Sequence, residues 1–212
     1  IKAKFQELII FSNFSGNPIG ENVDEGVNEF KINNCDGVIA IGGGSAIDVG
    51  KAIAFMSGQN RSIWDFEDIG DYWKRADVKK ISPIIAIPTT AGTGSEVTPI
   101  AIFTLENEQK MGIVDPLLYA DCAILDAELT IGLPKNITAY SGIDAMVHAI
   151  EAYTTKIKKN PISDALAKKA LALLGGNIKE AVNNPENKKS RESMLLGLSL
   201  IHISEPTRPI AI

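Results

Sequence analysis

The sequence predicts an α/β domain with a parallel sheet, followed by the start of an all-α domain. Up to residue 133, short continuous apolar runs alternate with helical patterns, which is typical of strands in a parallel sheet that helices cover on both faces. After Pro134 only helical periodicity remains. The chain has 212 residues, of which 45% are apolar and 22% charged, as in ordinary globular proteins with room for a core. We therefore expect two folded parts, residues 1–133 and 134–197.

Each predicted element follows from its local pattern. A strand is expected where a short apolar run ends in turn residues, and these runs are ELIIF (7–11), GVIAI (37–41), PIIAIP (83–88) and CAILD (122–126). In PIAIFTLENEQKMGIVDP (99–116), two apolar runs flank ENEQ, which predicts an antiparallel hairpin. Helical spacing of apolar residues predicts helices over 22–34, 46–56, 136–156, 163–182 and 190–197.

The overall charge and the cysteines argue against several classes of protein. The net charge is −5 and the isoelectric point is about 5.1, so no basic surface indicates a nucleic-acid partner. No apolar stretch is long enough to cross a membrane, and no signal peptide opens the chain. Cys35 and Cys122 lack metal-ligand spacing, which predicts reduced, partly buried thiols of a cytoplasmic protein.

A glycine-rich loop after the strand at 37–41 resembles a phosphate-binding loop but fits neither common template. In the dinucleotide fingerprint, Ile47 occupies the position of the third small residue. In the Walker pattern, the spacing is wrong and Ala52 follows Lys51 where Ser or Thr is required. The type of phosphate loop therefore has to be inferred from the rest of the chain.

The glycines and the following helix nevertheless favour an anion. Gly42, Gly43 and Gly44 allow backbone N–H groups to approach a pyrophosphate without interference from Cβ atoms. Ser45 is expected to cap the next helix, whose N-terminus attracts negative charge. A tight turn between strand and helix, with no ligand, is the alternative.

A second loop follows the strand at 83–88 and is rich in hydroxyl groups. Thr89, Thr90, Thr93 and Ser95 supply the hydroxyls, and two glycines among them permit close approach of the backbone. Ligands of open α/β sheets bind outside the carboxyl ends of the strands, so we expect this loop and the glycine loop to lie side by side. A turn capped by Ser95, without a ligand, is the alternative.

One acidic residue and one histidine lie four positions apart in the helix predicted over 136–156. Asp144 and His148 therefore share a face of that helix, and the apolar residues around them predict that the helix is buried. A carboxylate oxygen and an imidazole nitrogen are suitable ligands for iron(II) or zinc. A mutual hydrogen bond in the core is the alternative.

These segments together resemble the iron-containing (group III) alcohol dehydrogenases. The similar segments are CDGVIAIGGGSAIDVGKAIA, IPTTAGTGSEVT, KMGIVDP, GLPKNITAYSGIDAMVHAIEAY and NPISDALAKKAL. The resemblance covers residues 20–197 in order and spacing as well as in motifs. It implies an N-terminal nucleotide domain, a C-terminal helical metal domain and an active site in the cleft between them.

The resemblance also implies roles for individual residues. Pyrophosphate of NAD or NADP would contact Gly43, Gly44 and Ser45, and the phosphate and nicotinamide side would be lined by Thr89, Thr90 and Thr93. Lys110 would reach ribose hydroxyls, although an exposed hairpin lysine is the alternative. Asp144 and His148 would be the first two ligands of Fe²⁺, with Zn²⁺ as an alternative metal.

The implied reaction is hydride transfer between NAD(P) and a small alcohol or aldehyde, with the metal lowering the pKa of the alcohol. We expect no nucleic-acid or membrane partner, and a homo-oligomer for the full-length protein. A non-redox relative that binds a nucleotide or phosphate ester, such as a dehydroquinate synthase-like lyase, is the alternative. The chain has no initiator Met and lacks the family's two further histidine ligands, so we expect an incomplete sequence that is inactive alone.

The final stretch, LSLIHISEPTRPIAI (198–212), reads over its first eleven residues as the translation of a transposase-type sequencing-library adapter. This indicates a non-native tail, and a divergent natural C-terminus is the alternative. We predict that His202 is not a metal ligand. Residues 204–212 are expected to form no regular element packed on the core, because Pro206 and Pro209 oppose a helix.

Overall fold

A computed structural model describes residues 7–105, 107–156 and 159–204. Parallel strands β1 (Val38–Gly42), β2 (Ile84–Pro88) and β5 (Cys122–Ala123) form a sheet in the order β1-β2-β5, and β3 (Ile100–Thr104) pairs with β4 (Lys110–Val114) in an antiparallel hairpin. The helices are α1 (Gly20–Ile32), α2 (Gly44–Met56), α3 (Lys135–Thr154), α4 (Pro161–Asn183) and α5 (Lys188–Ser204). The predicted succession of an α/β part and a helical part is confirmed.

Helix α2 packs closely on one face of the sheet. A Cβ atom on Gly50 would lie 2.5 Å from the Cβ of Ala40 in β1, so only glycine permits this distance between helix and strand. Ala40, Ile84 and Ala86 are buried beneath α2. Side chains of the opposite face are less covered, and Ile41 is 43% exposed. The prediction of a sheet covered on both faces therefore holds for one face of the described structure.

The main core of the α/β part lies between α2 and the hairpin. Phe55 and Phe66 meet edge to face with ring centroids 5.0 Å apart, and Phe103 of β3 is fully buried in the same cluster. The hairpin therefore packs on the sheet domain through α2, because burial of these large apolar side chains stabilises the contact.

Two predicted strands differ from the structure. Residues 7–11 form no strand, because no described strand pairs with them, and Ile10 is 67% exposed. The strand predicted over 122–126 is only two residues long and partly exposed, since only Cys122 and Ala123 pair with β2. Cys122 is exposed rather than partly buried, whereas Cys35 has the predicted intermediate burial.

Helices α3, α4 and α5 pack through small side chains. Alanines allow the helix axes to approach, and larger apolar residues of α5 fill the centre. The buried members of this cluster are Ala145, Ala149, Ala152, Ala167, Ala170, Leu174, Ala181, Met194, Leu195, Leu198 and Ile201.

Helix α3 is less buried than its sequence predicts. An apolar stripe on one side of it is open in the described structure, and Ile143, Val147 and Ile150 are each about half exposed. The apolar pattern was wrong about complete burial because apolar residues lie on nearly every side of the helix, while α4 and α5 cover only one side.

The last described helix continues past residue 197, the predicted end of the native part. Leu198 and Ile201 are fully buried within the α5 packing. The His202 side chain and residues 205–212 lie outside the described residues, so the predictions about them stay predictions, as does the origin of 198–212. Among the described helices, none is long and apolar enough to span a membrane.

Candidate functional site

The two loops expected to bind a ligand lie side by side at one edge of the sheet. We name residues 42–45 the glycine loop and residues 89–98 the threonine loop. Gly42 and Pro88 are register partners at the ends of β1 and β2, and the Thr89 N–H donates a hydrogen bond to the Gly42 carbonyl oxygen at 2.8 Å. The predicted placement of the loops is confirmed.

The closest contact between the loops requires the glycine at position 44. A Cβ on Gly44 would lie 2.6 Å from Cγ2 of Thr93, whereas a Cβ on Gly43 would make an ordinary van der Waals contact at 3.4 Å with Cγ2 of Thr90. Gly42 has a φ of 152°, which side-chain-bearing residues rarely adopt. The glycine loop is therefore shaped to let the threonine side chains lie directly against its backbone.

The N-terminus of α2 is formed differently from the sequence prediction. The helix begins at Gly44 with Gly43 as its N-cap, and no side chain caps it. Ser45 is the second helical residue, so its predicted capping role is wrong. The first N–H groups of a helix have no acceptor within the helix, and at an end without a side-chain cap they are suited to bind an anion.

Lys51 does not face the glycine loop. Its side chain is completely buried, and its ammonium group donates hydrogen bonds to the carbonyl oxygens of Ser95 at 2.9 Å, Thr98 at 3.1 Å and Ile100. The likeness to a Walker lysine is therefore superficial. Sequence analysis missed this role, although Lys51 follows Ile47 by four residues on an apolar helix face, which is a signal of burial.

Asp48 accompanies Lys51 on α2. Its carboxylate lies 3.5 Å from the Lys51 ammonium group and accepts hydrogen bonds from the Ser95 hydroxyl and, at 3.2 Å, from the Ile102 N–H. Burial raises the pKa of Asp48 and lowers the pKa of Lys51, while the attraction between the two groups opposes both shifts.

The threonine loop also touches the helical part of the molecule. Ala91 is buried in the helical cluster, and a Cβ on Gly92 would lie 2.9 Å from the Cβ of Ser141 in α3. Asp144 and His148 follow Ser141 by three and seven residues, so all three lie on one face of α3. The threonine loop, which is a predicted nucleotide loop, therefore lies next to the helix face that carries the predicted metal ligands.

Asp144 and His148 lie side by side, as their spacing predicts. Oδ2 of Asp144 is 3.4 Å from Nε2 of His148, and Oε2 of Glu151 is 3.7 Å from Nδ1. The Asp144 side chain is 62% exposed and that of His148 is 9% exposed, so the pair lies at a surface rather than in the core.

One oxygen donor and one nitrogen donor suit part of an iron or zinc site. In residues 7–105, 107–156 and 159–204, no cluster of three or more His, Cys, Asp or Glu side chains could hold a metal ion. The described chain therefore supplies two donors, Asp144 and His148, which fit the chemistry of such a site without completing it.

A second connection between the threonine loop and the helices runs through Glu96. This residue is 2% exposed, and Oε1 accepts a hydrogen bond from the Ser199 hydroxyl at 2.7 Å. Oε2 is buried and has no hydrogen-bond partner among the described residues. Burial raises the pKa of Glu96, and the bond from Ser199 opposes that rise.

Lys110 is not brought close to the other predicted site residues. It is exposed and lies opposite Thr104 in the register of the hairpin. Along the partner strand, Ile100 lies four residues from Thr104, which corresponds to about 14 Å. The carbonyl group of Ile100 is one of those that bind Lys51. The predicted contact of Lys110 with a cofactor stays a prediction.

Comparison with known sequences agrees with this geometry. The profile of the family described as iron-containing alcohol dehydrogenase matches residues 1–127, and that of the Fe-containing alcohol dehydrogenase family, C-terminal, matches residues 138–203. Choline dehydrogenase of Bacillus subtilis is 40% identical over 91% of this chain and 49% of its own length. NAD-dependent methanol dehydrogenase of Bacillus methanolicus is 38% identical over 89% of this chain and 48% of its own length.

Solved structures share the fold. Sulfoacetaldehyde reductase from Bifidobacterium kashiwanohense, crystallised in complex with NAD+, superposes with a TM-score of 0.85 at 37% identity, covering 93% of this chain and 51% of that one. The chain thus spans about half the length of the curated relatives it matches. The family profiles, the sheet topology and the two loops agree, and the chain belongs to the iron-containing alcohol dehydrogenase family.

Proposed function

We propose that the chain is part of an oxidoreductase that transfers a hydride between NAD and a small alcohol or aldehyde, with iron as the metal. The observation that carries this proposal is the contact between Gly92 of the threonine loop and Ser141 of α3. It places a loop suited to a nucleotide next to the helix face that bears Asp144 and His148.

The nucleotide site combines the two loops. Backbone N–H groups at Gly44 and Ser45 are available to a pyrophosphate at the start of α2. Hydroxyl groups of Thr89, Thr90 and Thr93 line the adjacent loop, where they are suited to orient the nicotinamide half of the cofactor. Lys110 is assigned to the ribose by the family resemblance alone.

The metal site begins with Asp144 and His148. When bound, iron supplies a Lewis acid that lowers the pKa of the alcohol. Asp144 would hold the metal through a carboxylate oxygen and His148 through an imidazole nitrogen, while Glu151 lies against the other ring nitrogen of His148. NADP is the alternative to NAD, and zinc is the alternative to iron. Titration of the chain with each nucleotide and each metal distinguishes them.

A non-redox relative that binds a nucleotide or phosphate ester is the competing interpretation. The similar proteins are named as dehydrogenases and reductases, which favours redox chemistry. We further propose a small-molecule substrate, a cytoplasmic location and a homo-oligomeric full-length enzyme.

The test is titration of the chain with NADH, followed by the fluorescence of the nicotinamide ring. Saturable enhancement that NAD abolishes by competition supports the nucleotide site. Absence of binding by both NADH and NADPH contradicts it. We expect no alcohol turnover by these 212 residues alone, because the described part supplies only two metal donors.

A further inference from the structure

Lys51 connects the middle of α2 to the far end of the threonine loop. Its ammonium group has three N–H donors, and three backbone carbonyl oxygens surround it, those of Ser95, Thr98 and Ile100. The partners lie 44 to 49 residues further along the chain. Only the long, flexible side chain of a lysine combines this reach with three donors from one atom.

The other end of the threonine loop is fixed by a separate bond. Thr89 donates from its backbone N–H to the carbonyl oxygen of Gly42. Asp48 then accepts from the Ser95 hydroxyl beside the Lys51 ammonium group. Both ends of the loop are therefore attached to the elements that form the glycine loop, and the threonine side chains lie between the attachments.

The cost of burying Lys51 indicates that the attachment matters for the site. A buried ammonium group is unfavourable unless it is paired and hydrogen-bonded, and an apolar residue at this place in α2 would be cheaper for packing alone. Without the lysine, the carbonyl groups of Ser95 and Thr98 at the end of the threonine loop, and that of Ile100 in β3, would lose this donor, so the loop would be free to move away from α2.

We propose that Lys51 is a positioning residue for the cofactor: by holding three carbonyl groups, it fixes the threonine loop beside the glycine loop. The proposal rests on the proposed nucleotide site. Lys51 touches neither the cofactor nor the substrate, and acts through the geometry of Thr89, Thr90 and Thr93.

This role predicts a difference between two nucleotides. ADP carries a diphosphate that needs the glycine loop but has no nicotinamide half, whereas NAD needs both loops. Loss of Lys51 is therefore expected to lower the affinity for NAD more than the affinity for ADP. A general loss of stability lowers both apparent affinities by the same factor, because it reduces the folded fraction equally for each ligand.

The experiment compares four substitutions in the 212-residue chain. Lys51→Met removes all three donors at similar side-chain length, and Lys51→Gln is a milder variant that keeps an amide donor. Lys79→Met makes the same charge change at an exposed position. Arg191→Met removes another buried cation, one that binds Pro185 and Thr138 in the helical part.

Affinities for NAD and ADP are measured by calorimetry, and protection of backbone amides by hydrogen exchange. For Lys51→Met we expect the affinity for NAD to fall by about tenfold, a difference of about 1.4 kcal/mol in binding free energy. The affinity for ADP should fall by less than about threefold. Amides of residues 89–98 should exchange faster, and those of α4 should not. Lys51→Gln should lie between, and Lys79→Met should match the original chain.

Two outcomes would overturn the proposal. The first is an equal loss of affinity for NAD and ADP in the Lys51 variants, and the second is a change in the ratio of the two affinities in Arg191→Met that matches the change in Lys51→Met. If the original chain binds neither nucleotide, the proposed function fails separately. Hydrogen exchange then still decides the role of Lys51, because unchanged protection of 89–98 in both Lys51 variants would show that the lysine does not hold the loop.

Discussion

Thr93 packs against Gly44 so closely that a Cβ atom on the glycine would lie 2.6 Å from Cγ2 and 2.9 Å from Cβ of the threonine. The second distance involves an atom fixed to the backbone, so rotation of the threonine side chain does not remove the conflict. Only separation of the two loops makes room for a side chain at this position.

Gly44→Ala is therefore expected to push the threonine loop away from α2. Overpacking of this kind costs about 1–3 kcal/mol of stability, and we expect the affinity for NADH to fall by about tenfold or more. Fluorescence titration and thermal unfolding measure the two effects. Gly176→Ala is the matched control, since this helical glycine has open space around its Cβ position and should gain up to about 1 kcal/mol. An unchanged NADH affinity in Gly44→Ala would contradict the loop geometry.

The contact between Gly92 and Ser141 is testable by a double-mutant cycle. Gly92→Ala should lower stability by about 1–3 kcal/mol, because the added Cβ meets the Cβ of Ser141. Ser141→Gly should cost up to about 1 kcal/mol alone, as glycine does in a helix, but it removes the conflicting atom. The double variant should therefore be more stable than the sum of the single effects, measured by urea unfolding. Strict additivity would mean that loop and helix are not in contact.

Asp144→Ala is expected to remove most of the affinity for iron while leaving NADH binding unchanged. The reason is that the substitution takes one of two adjacent metal donors from an exposed position, where few packing contacts are lost. Anaerobic titration with Fe²⁺ by calorimetry measures the first effect, and NADH fluorescence the second. Glu151→Ala removes a carboxylate from the other side of His148 and should bind Fe²⁺ within about threefold of the original chain. Equal iron affinity in Asp144→Ala and the original chain would refute the ligand assignment.

Glu96 should make stability depend on pH in a defined direction. Its folded-state pKa is raised above the ordinary value of 4.5 by burial, so the folded protein binds this proton more tightly than the unfolded chain does. The associated stability is present below pH 4.5 and is lost as the pH rises from there through the raised pKa. Glu96→Gln keeps an oxygen acceptor for the Ser199 hydroxyl and has no proton to lose.

The free energy of unfolding of Glu96→Gln should therefore increase relative to that of the original chain as the pH rises through this window. Urea unfolding at a series of pH values measures the difference. Lys79→Met serves as the control, since its exposed side chain should leave the pH dependence in this range unaltered. Parallel pH profiles for Glu96→Gln and the original chain would show that Glu96 is not the buried acid described here.

Patterns in the sequence predicted features that follow from local periodicity or from the general rules of parallel sheets, but not specific contacts between distant residues. β1, β2 and the three long helices follow from continuous apolar runs and helical periodicity, and the adjacent loops follow from parallel pairing of two strands. Residues 7–11 have the same apolar pattern as β1 yet form no strand, because a strand requires a partner that local sequence does not reveal.

The site shows the same division. The i, i+4 spacing correctly placed Asp144 beside His148, since a helix turn fixes that relationship. The partners of Lys51 were not predictable, because they are carbonyl groups 44 to 49 residues away and carry no side-chain signature. Residue type alone predicts Ser45 as the helix cap, whereas the backbone places the cap at Gly43 and starts the helix two residues earlier than predicted.

The burial of Lys51 also constrains the order of folding. Val38 pairs with Ile84, and Lys51 pairs with residues about as far away, so both contacts must close a long stretch of chain before they give any stability. An ammonium group leaves water at a high cost unless its acceptors are already in place. Closure of the sheet and the hairpin around Lys51 is therefore a late step, after the local helices have formed. The proposed nucleotide-binding surface forms in that same step, so a nascent chain would gain its fold and this surface together.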